Sequence, residues 1–322
     1  MTPLITISDA LSRSEVESSS QITLAFSPRL QSETEAKYAS ILADILSDVQ
    51  NVDNLTIGSL KHILATTTFV TDTKRWLTEL TLPALVTDTN DAMAVGKALT
   101  WELPNSNGVA SVIVINVDIL KGIQQGTSLH RGVLCHEIAH IADNEKRFAA
   151  QGADAHPDAR DLSAVEHFIA ASLWAEYFAE RVASRHYSAE DLQTFAANSE
   201  IIRFLHVTFN RQREAYQNHA MQLLELWQLA IYATGQTADM IGRSLGEFHG
   251  GERSSCLASF KQDLSNQTWV AIVDEAEDIL DRMFQLTSTW NVSPLLTIVR
   301  KMFNAIRIFP RPQGSGMYID VP

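Results

Sequence analysis

Apolar positions along the chain change period near residue 120. Before it they come in short runs. Residues 21–27 (QITLAFS) read as a strand, and residues 34–49 carry Tyr38, Ile41, Leu42 and Ile45 at helical spacing. Residues 55–70 are β-branched and ambiguous in period. Residues 96–103 and 109–116 (VASVIVIN) read as strands flanking Pro104, Asn105, Ser106, Asn107 and Gly108, which predicts a hairpin. From Ser128 the spacing is helical almost to the end, over roughly 128–144, 163–187, 189–198, 200–234, 265–286 and 293–306. Gly242, following Met240 and Ile241, reads as a helix end, and the tail GMYIDV as a last strand. The expectation is a predominantly helical α+β fold, with a small N-terminal sheet packed on helices and a helical C-terminal half. A boundary after residue 187 divides it into an α+β region, 1–187, and a helical subdomain, 188–322.

Other stretches read as scaffold. Residues 12–20 are taken as a solvated lead-in. Residues 143–162, which contain Gly152 and Pro157 among alternating charges, read as a long surface loop. Phe204, Leu205, Val207 and Phe209, and then Leu223, Leu224, Leu226, Trp227 and Ile231, are expected in the core. The acidic residues Asp274, Glu275, Glu277, Asp278 and Asp281 are expected on a solvated face.

Composition narrows the function. The 322 residues are 45% hydrophobic and 20% charged, as in an ordinary folded domain. A formal net charge of -13, with no cluster of Lys or Arg against it, repels phosphate backbones and anionic lipid, so neither nucleic acid nor membrane is expected as a partner. No apolar run approaches the roughly 18 residues of a membrane helix, and the N-terminus lacks the basic start and apolar core of a secretory signal. The two cysteines, Cys135 and Cys256, make no disulfide framework and read as packed thiols, which fits a reducing, cytoplasmic setting.

The chemistry is concentrated in His136-Glu137-Ile138-Ala139-His140. Residues four apart lie on one face of a helix, so His136 and His140 can grip a single zinc ion while Glu137 reaches water on that ion and acts as general base. Val133, Leu134, Ile138, Ala139 and Ile141 make the helix largely apolar. Two histidines and a glutamate on an ordinary amphipathic helix are the plain alternative.

A catalytic zinc takes three protein ligands, so a third must come from downstream. Asp143 and Lys146 stand where a metzincin pattern would need glycine and then histidine or aspartate. Residues 163–187 supply carboxylates instead. Glu166, three after Ser163, fits a capping box. Glu176 and Glu180 share an apolar face with Ile169, Leu173 and Ala183, where a carboxylate is costly unless paired or metal-bound. Glu176 is taken as the third ligand and Glu180 as the acceptor behind one histidine, although the two could exchange roles. An ion pair of Glu176 with Arg181 or Arg185 is the alternative. His167 and His156 read as structural or exposed.

These residues resemble the gluzincin branch of the zincin metallopeptidases, in which HExxH is joined by a downstream glutamate. Glu176-Tyr177-Phe178-Ala179-Glu180 matches the second motif, with Glu180 where that family usually has aspartate. The resemblance spans only residues 131–185. It implies a peptide or protein substrate lying extended on an edge strand just before the metal helix. Residues 109–116 occupy that place in chain order, with an interior strand as the alternative. It also implies an oxyanion-stabilising group, for which His206, Arg213, Tyr216 and Tyr232 are available. Two other functions remain open: a regulatory or interaction protein on a zincin-like scaffold, and a zinc hydrolase of non-peptide substrates.

Overall fold

Six consecutive buried residues, Ala110 to Ile115, explain why residues 109–116 form the middle of a sheet: a strand apolar on both sides needs cover on both faces. In the computed structural model this strand, β5 (Val109–Asn116), lies between β3 (Leu60–Thr66) and β4 (Gly96–Glu102). The structure describes residues 5–6, 22–53, 55–79, 96–102, 109–151, 158–188, 195–251, 254–264, 266–286, 290–313 and 316–322. Among these are ten α-helices, one five-stranded sheet and one two-stranded sheet, the predominantly helical α+β architecture that the spacing predicts. The lead-in at 12–20, the hairpin loop and His156 lie outside the described residues.

The chain divides into two compact units, 1–153 with 185–189, and 154–184 with 190–322. Residues 162–183 therefore group with the later helices, whereas the sequence boundary placed them with the sheet.

In the first unit the strand order is β1 (Ile5–Thr6), β2 (Thr23–Ser27), β3, β5, β4. The β2–β3 and β3–β5 pairs are parallel and the β5–β4 pair is antiparallel, with Ala98 opposite Ile113. The hairpin expected of residues 96–116 is thus present, but the edge expected of residues 109–116 belongs to β4. Residues 55–70, ambiguous in sequence, resolve into β3 and the start of α2 (Phe69–Glu79). Leu64, Leu99, Val112 and Val114 pack with Phe69 on one face of the sheet. The opposite face meets α3 (Val117–Gln124) and α4 (Ser128–Gln151), and α1 (Ser32–Val52) packs on both these helices. Helix α4 takes in residues 143–151, the start of the expected loop. Those residues, DNEKRFAAQ, contain no Gly or Pro, and Arg147 donates to Asn144 at 2.6 Å along the helix.

The second unit is organised on two helices, α5 (Leu162–Ala183) and α7 (Leu223–Gly250). Gly242, Gly246 and Gly250 face successive turns of α5 at Leu173, Tyr177 and Arg181, so the helices run parallel, backbone against backbone. Gly242 therefore ends nothing; it lies inside α7 because only hydrogen fits between it and the Leu173 carbonyl. The expected helix at 200–234 is broken by residues 218–222 into α6 (Phe195–Gln217) and α7, with His219 at φ 60°. Helices α8 (Ser254–Asp263), α9 (Gln267–Gln285) and α10 (Leu296–Ala305) follow, and strands β6 (Phe309–Gln313) and β7 (Gly316–Asp320) close the chain as a hairpin.

One surface expectation changes. Phe209, Leu226 and Trp227 are buried, but Phe204 and Leu224 are 69% and 57% exposed, so those stripes are only partly core. The acidic face of α9 is solvent-facing at Asp274 and Asp278 and also carries ion pairs: Lys261 meets Asp274 and Glu277 at 2.7 and 2.6 Å, Arg181 meets Asp281 at 2.6 Å, and Lys301 meets Glu275.

Glycine substitutions along α7 should split by sign. Gly246→Ala places a Cβ against the Tyr177 carbonyl and should cost about 1–3 kcal/mol in a urea melt. Gly235→Ala meets nothing within 4 Å and should gain roughly 0.5–1 kcal/mol through helix propensity. Equal effects at the two positions would contradict this packing.

Candidate metal centre

Helix α4 is buried over most of its circumference between Leu134 and Asp143, which fixes its rotation against the sheet and α3. One turn apart on this stretch, His136 is buried and His140 half-buried. Their Nε2 atoms lie 3.0 Å apart and the rings stand at 84°. Two imidazole nitrogens bound to one tetrahedral zinc would lie about 3.3 Å apart, since each Zn–N bond is about 2.0–2.1 Å. The separation and donor type thus fit one ion bridging both rings. The same distance serves an N–H···N hydrogen bond between two packed histidines.

Glu137 turns toward the edge of β4 that faces away from β5. The Ala98 backbone N–H donates to its Oε2 at 2.6 Å. Gly96, two residues earlier, leaves room for the side chain: a Cβ there would lie 3.1 Å from Glu137 Cγ. Two residues later, Thr100 Oγ1 accepts from Asn144 of α4 at 3.0 Å and meets Ser111 Oγ at 2.9 Å. Ser111 continues to Ser59 at 2.9 Å, whose N–H donates to Glu145 Oε1 at 2.6 Å. A polar chain across β3, β5 and β4 therefore pins α4 at two points. Cys135, next to His136, is fully buried, and burial pushes its thiol up to about 12, so it remains a packed thiol.

The carboxylates named from sequence lie on α5, in the second unit. Asp161 caps this helix by accepting from the Ala164 N–H at 3.1 Å. Glu166 is not the cap: it is buried and paired with both Arg300 Nε and Nη2 at 2.8 Å. Spacing alone could not show an arginine 134 residues away. Glu176 accepts from Arg243 Nε of α7 at 2.7 Å. Neither Arg181 nor Arg185 takes that place, since Arg181 pairs with Asp281 and Arg185 with Asp53. Glu180 is buried one turn after Glu176.

Beside Glu176, Ser172 donates to Asp239 Oδ1 at 2.5 Å and Gln236 to Oδ2 at 3.3 Å. Burial first, and then the Glu176 charge, push the Asp239 carboxyl above its usual range. The Glu176 charge in turn holds the Arg243 proton more firmly than usual. Sequence reasoning missed Gly96, Ala98, Asp239 and Arg243. A backbone amide carries no side-chain signature, and α7 gave no motif.

His167, His206 and Arg213 each have a neighbour of their own. His167 Nδ1 lies 2.8 Å from the Ser163 carbonyl. His206 stacks on Trp269 with ring centroids 4.1 Å apart, and burial lowers its pKa to about 4. Arg213 donates to the Ile306 carbonyl at 3.4 Å, and Tyr232 is 61% exposed on α7.

Glu166→Gln weakens a pair that is buried on one side only, because the Arg300 side chain is 61% exposed. It should lower stability by about 1–3 kcal/mol in a denaturant melt. A folded Glu166→Gln variant with unchanged stability would contradict the pairing.

Comparison with protein-family models, with curated proteins and with solved structures finds no match to this chain.

Proposed function

We propose that this chain is a zinc-dependent metallopeptidase, with His136, His140 and Glu176 as the ligand set and Glu137 as general base. The observation that carries the reading is the His136–His140 pair, two Nε2 atoms 3.0 Å apart on a buried helical turn with a carboxylate next in sequence. Two imidazoles and one carboxylate are the donor set of an open catalytic zinc site. The gluzincin resemblance supports the same assignment, with Glu180 orienting one histidine.

A zinc ion held by these residues would supply Lewis acidity, acidifying water and polarising a scissile carbonyl. Glu137 would take the proton from the attacking water and pass it to the departing amine nitrogen, so that the proton lost by water ends on the leaving group. The edge of β4 offers outward backbone groups along which an extended peptide can lie. Arg243 holds one oxygen of Glu176, which favours a carboxylate fixed in a single orientation. A reducing, cytoplasmic setting belongs to the same reading and rests on Cys135 and Cys256 being free thiols.

Exposed Phe204, Leu224 and Tyr232 on α6 and α7 favour a second reading, an interaction protein whose metal is structural. The two part on coordination: a structural zinc has no open position, a catalytic one does.

Purified protein should carry about one equivalent of zinc and cleave members of a peptide library more readily than esters. Chelation should abolish cleavage and zinc restore it. Glu137→Gln should keep the metal and lose hydrolysis by at least about a hundredfold. Cleavage undiminished in Glu137→Gln would dispose of the mechanism, and preference for esters would move the substrate class.

A further inference from the structure

Among the described residues β4 pairs with β5 alone, and its other edge does more than border α4. Along an antiparallel strand alternate residues turn their N–H and C=O groups outward, and Ala98, whose N–H donates to Glu137, fixes that parity. Gly96, Ala98 and Thr100 therefore share one outward set and one sheet face, and Leu99 packs into the core on the other face. Each of the three meets α4 differently. Gly96 meets Glu137 by having no side chain, Ala98 by its amide, and Thr100 by its hydroxyl on Asn144.

A glutamate one residue from a metal-ligand candidate has three side-chain torsions, and most of its rotamers point its carboxylate elsewhere. Here Oε2 is committed to the Ala98 N–H, and the methylene stem lies against Gly96, where a Cβ would fall 3.1 Å from Glu137 Cγ and press on it. A charged acceptor on a backbone N–H is a strong anchor, because the donor has no rotamer of its own.

The geometry points to Gly96 and the Ala98 amide as positioning residues for Glu137, fixing its carboxylate from the sheet edge. This rests on the hydrolase reading and deepens it. It also implies that an extended substrate cannot use the Ala98 N–H while Glu137 holds it, so the substrate must register on other outward groups of β4.

Hydrogen exchange of the Ala98 amide tests the contact without any assay of activity. The N–H faces away from β5, so its protection depends on Glu137: exchange should speed up about ten- to hundredfold in Glu137→Ala. Kinetics test the role. Gly96→Val and Ala98→Pro should each lower kcat by about a hundredfold with KM within about threefold and one zinc retained. Proline is tolerated at an edge position whose N–H is outside the ladder, and circular dichroism with thermal melting shows whether each variant folds. Gly96→Ala, the milder change, should give an intermediate loss. An Ala98 amide that exchanges equally fast in the parent chain and in Glu137→Ala overturns the inference, as does full kcat in folded Ala98→Pro. A protected amide in a zinc-loaded parent that cleaves nothing would instead overturn the proposed function, and with it the catalytic role given to the contact.

Discussion

The fit of helix α4 against the edge of β4 that faces away from β5 is the constraint on which the candidate centre depends. A helix can slide and roll on a sheet unless something fixes both motions. Here the buried stretch Leu134 to Asp143 sets the roll, and polar bonds two turns apart set the slide. Glu137 meets Ala98 at one point and Asn144 meets Thr100 at the other. Moving α4 by one residue would break both and carry His136 and His140 about 100° around the helix axis. The orientation of the imidazoles is therefore a consequence of sheet packing rather than of the histidines themselves.

The second unit fixes its carboxylates by different means. Three glycines at four-residue spacing bring α7 against the backbone of α5, so residues one turn apart on α5 meet fixed positions on α7. Glu176 falls opposite Arg243, with Ser172 and Asp239 beside it. The Arg243 cation beside Glu176 reduces the cost of holding its charge in a partly desolvated place. Glu166, on the same helix, is taken up by Arg300, and Glu176 by Arg243.

Much of this was legible in the residues, for identifiable reasons. The hairpin of β4 and β5 announced itself by two strand-like runs around an Asn-Gly loop. The histidine pair announced itself by a spacing that has meaning only on a helix. Where the reading failed, the deciding information was tertiary. Chain order left residues 109–116 open between an edge and an interior strand, and the structure makes β5 interior. Gly242 reads as a helix end in isolation, because nothing local shows the α5 backbone that excludes a side chain there. Residues 143–151 lie before the first glycine and proline, so their charge masked good helix formers. Phe204 and Leu224 follow helical spacing whether or not a neighbour covers them. The partners of Glu166 and Glu176 lie 134 and 67 residues away, beyond any local pattern.

The central claim is that His136 and His140 share a metal with a carboxylate from α5. The most direct measurement is a crystal structure of zinc-loaded protein with anomalous data on both sides of the zinc edge. The account predicts a single peak about 2.0–2.1 Å from both Nε2 atoms, with a Glu176 oxygen as third protein ligand and one position open to water. No peak between the two rings, or a peak closed by four protein ligands, would contradict it.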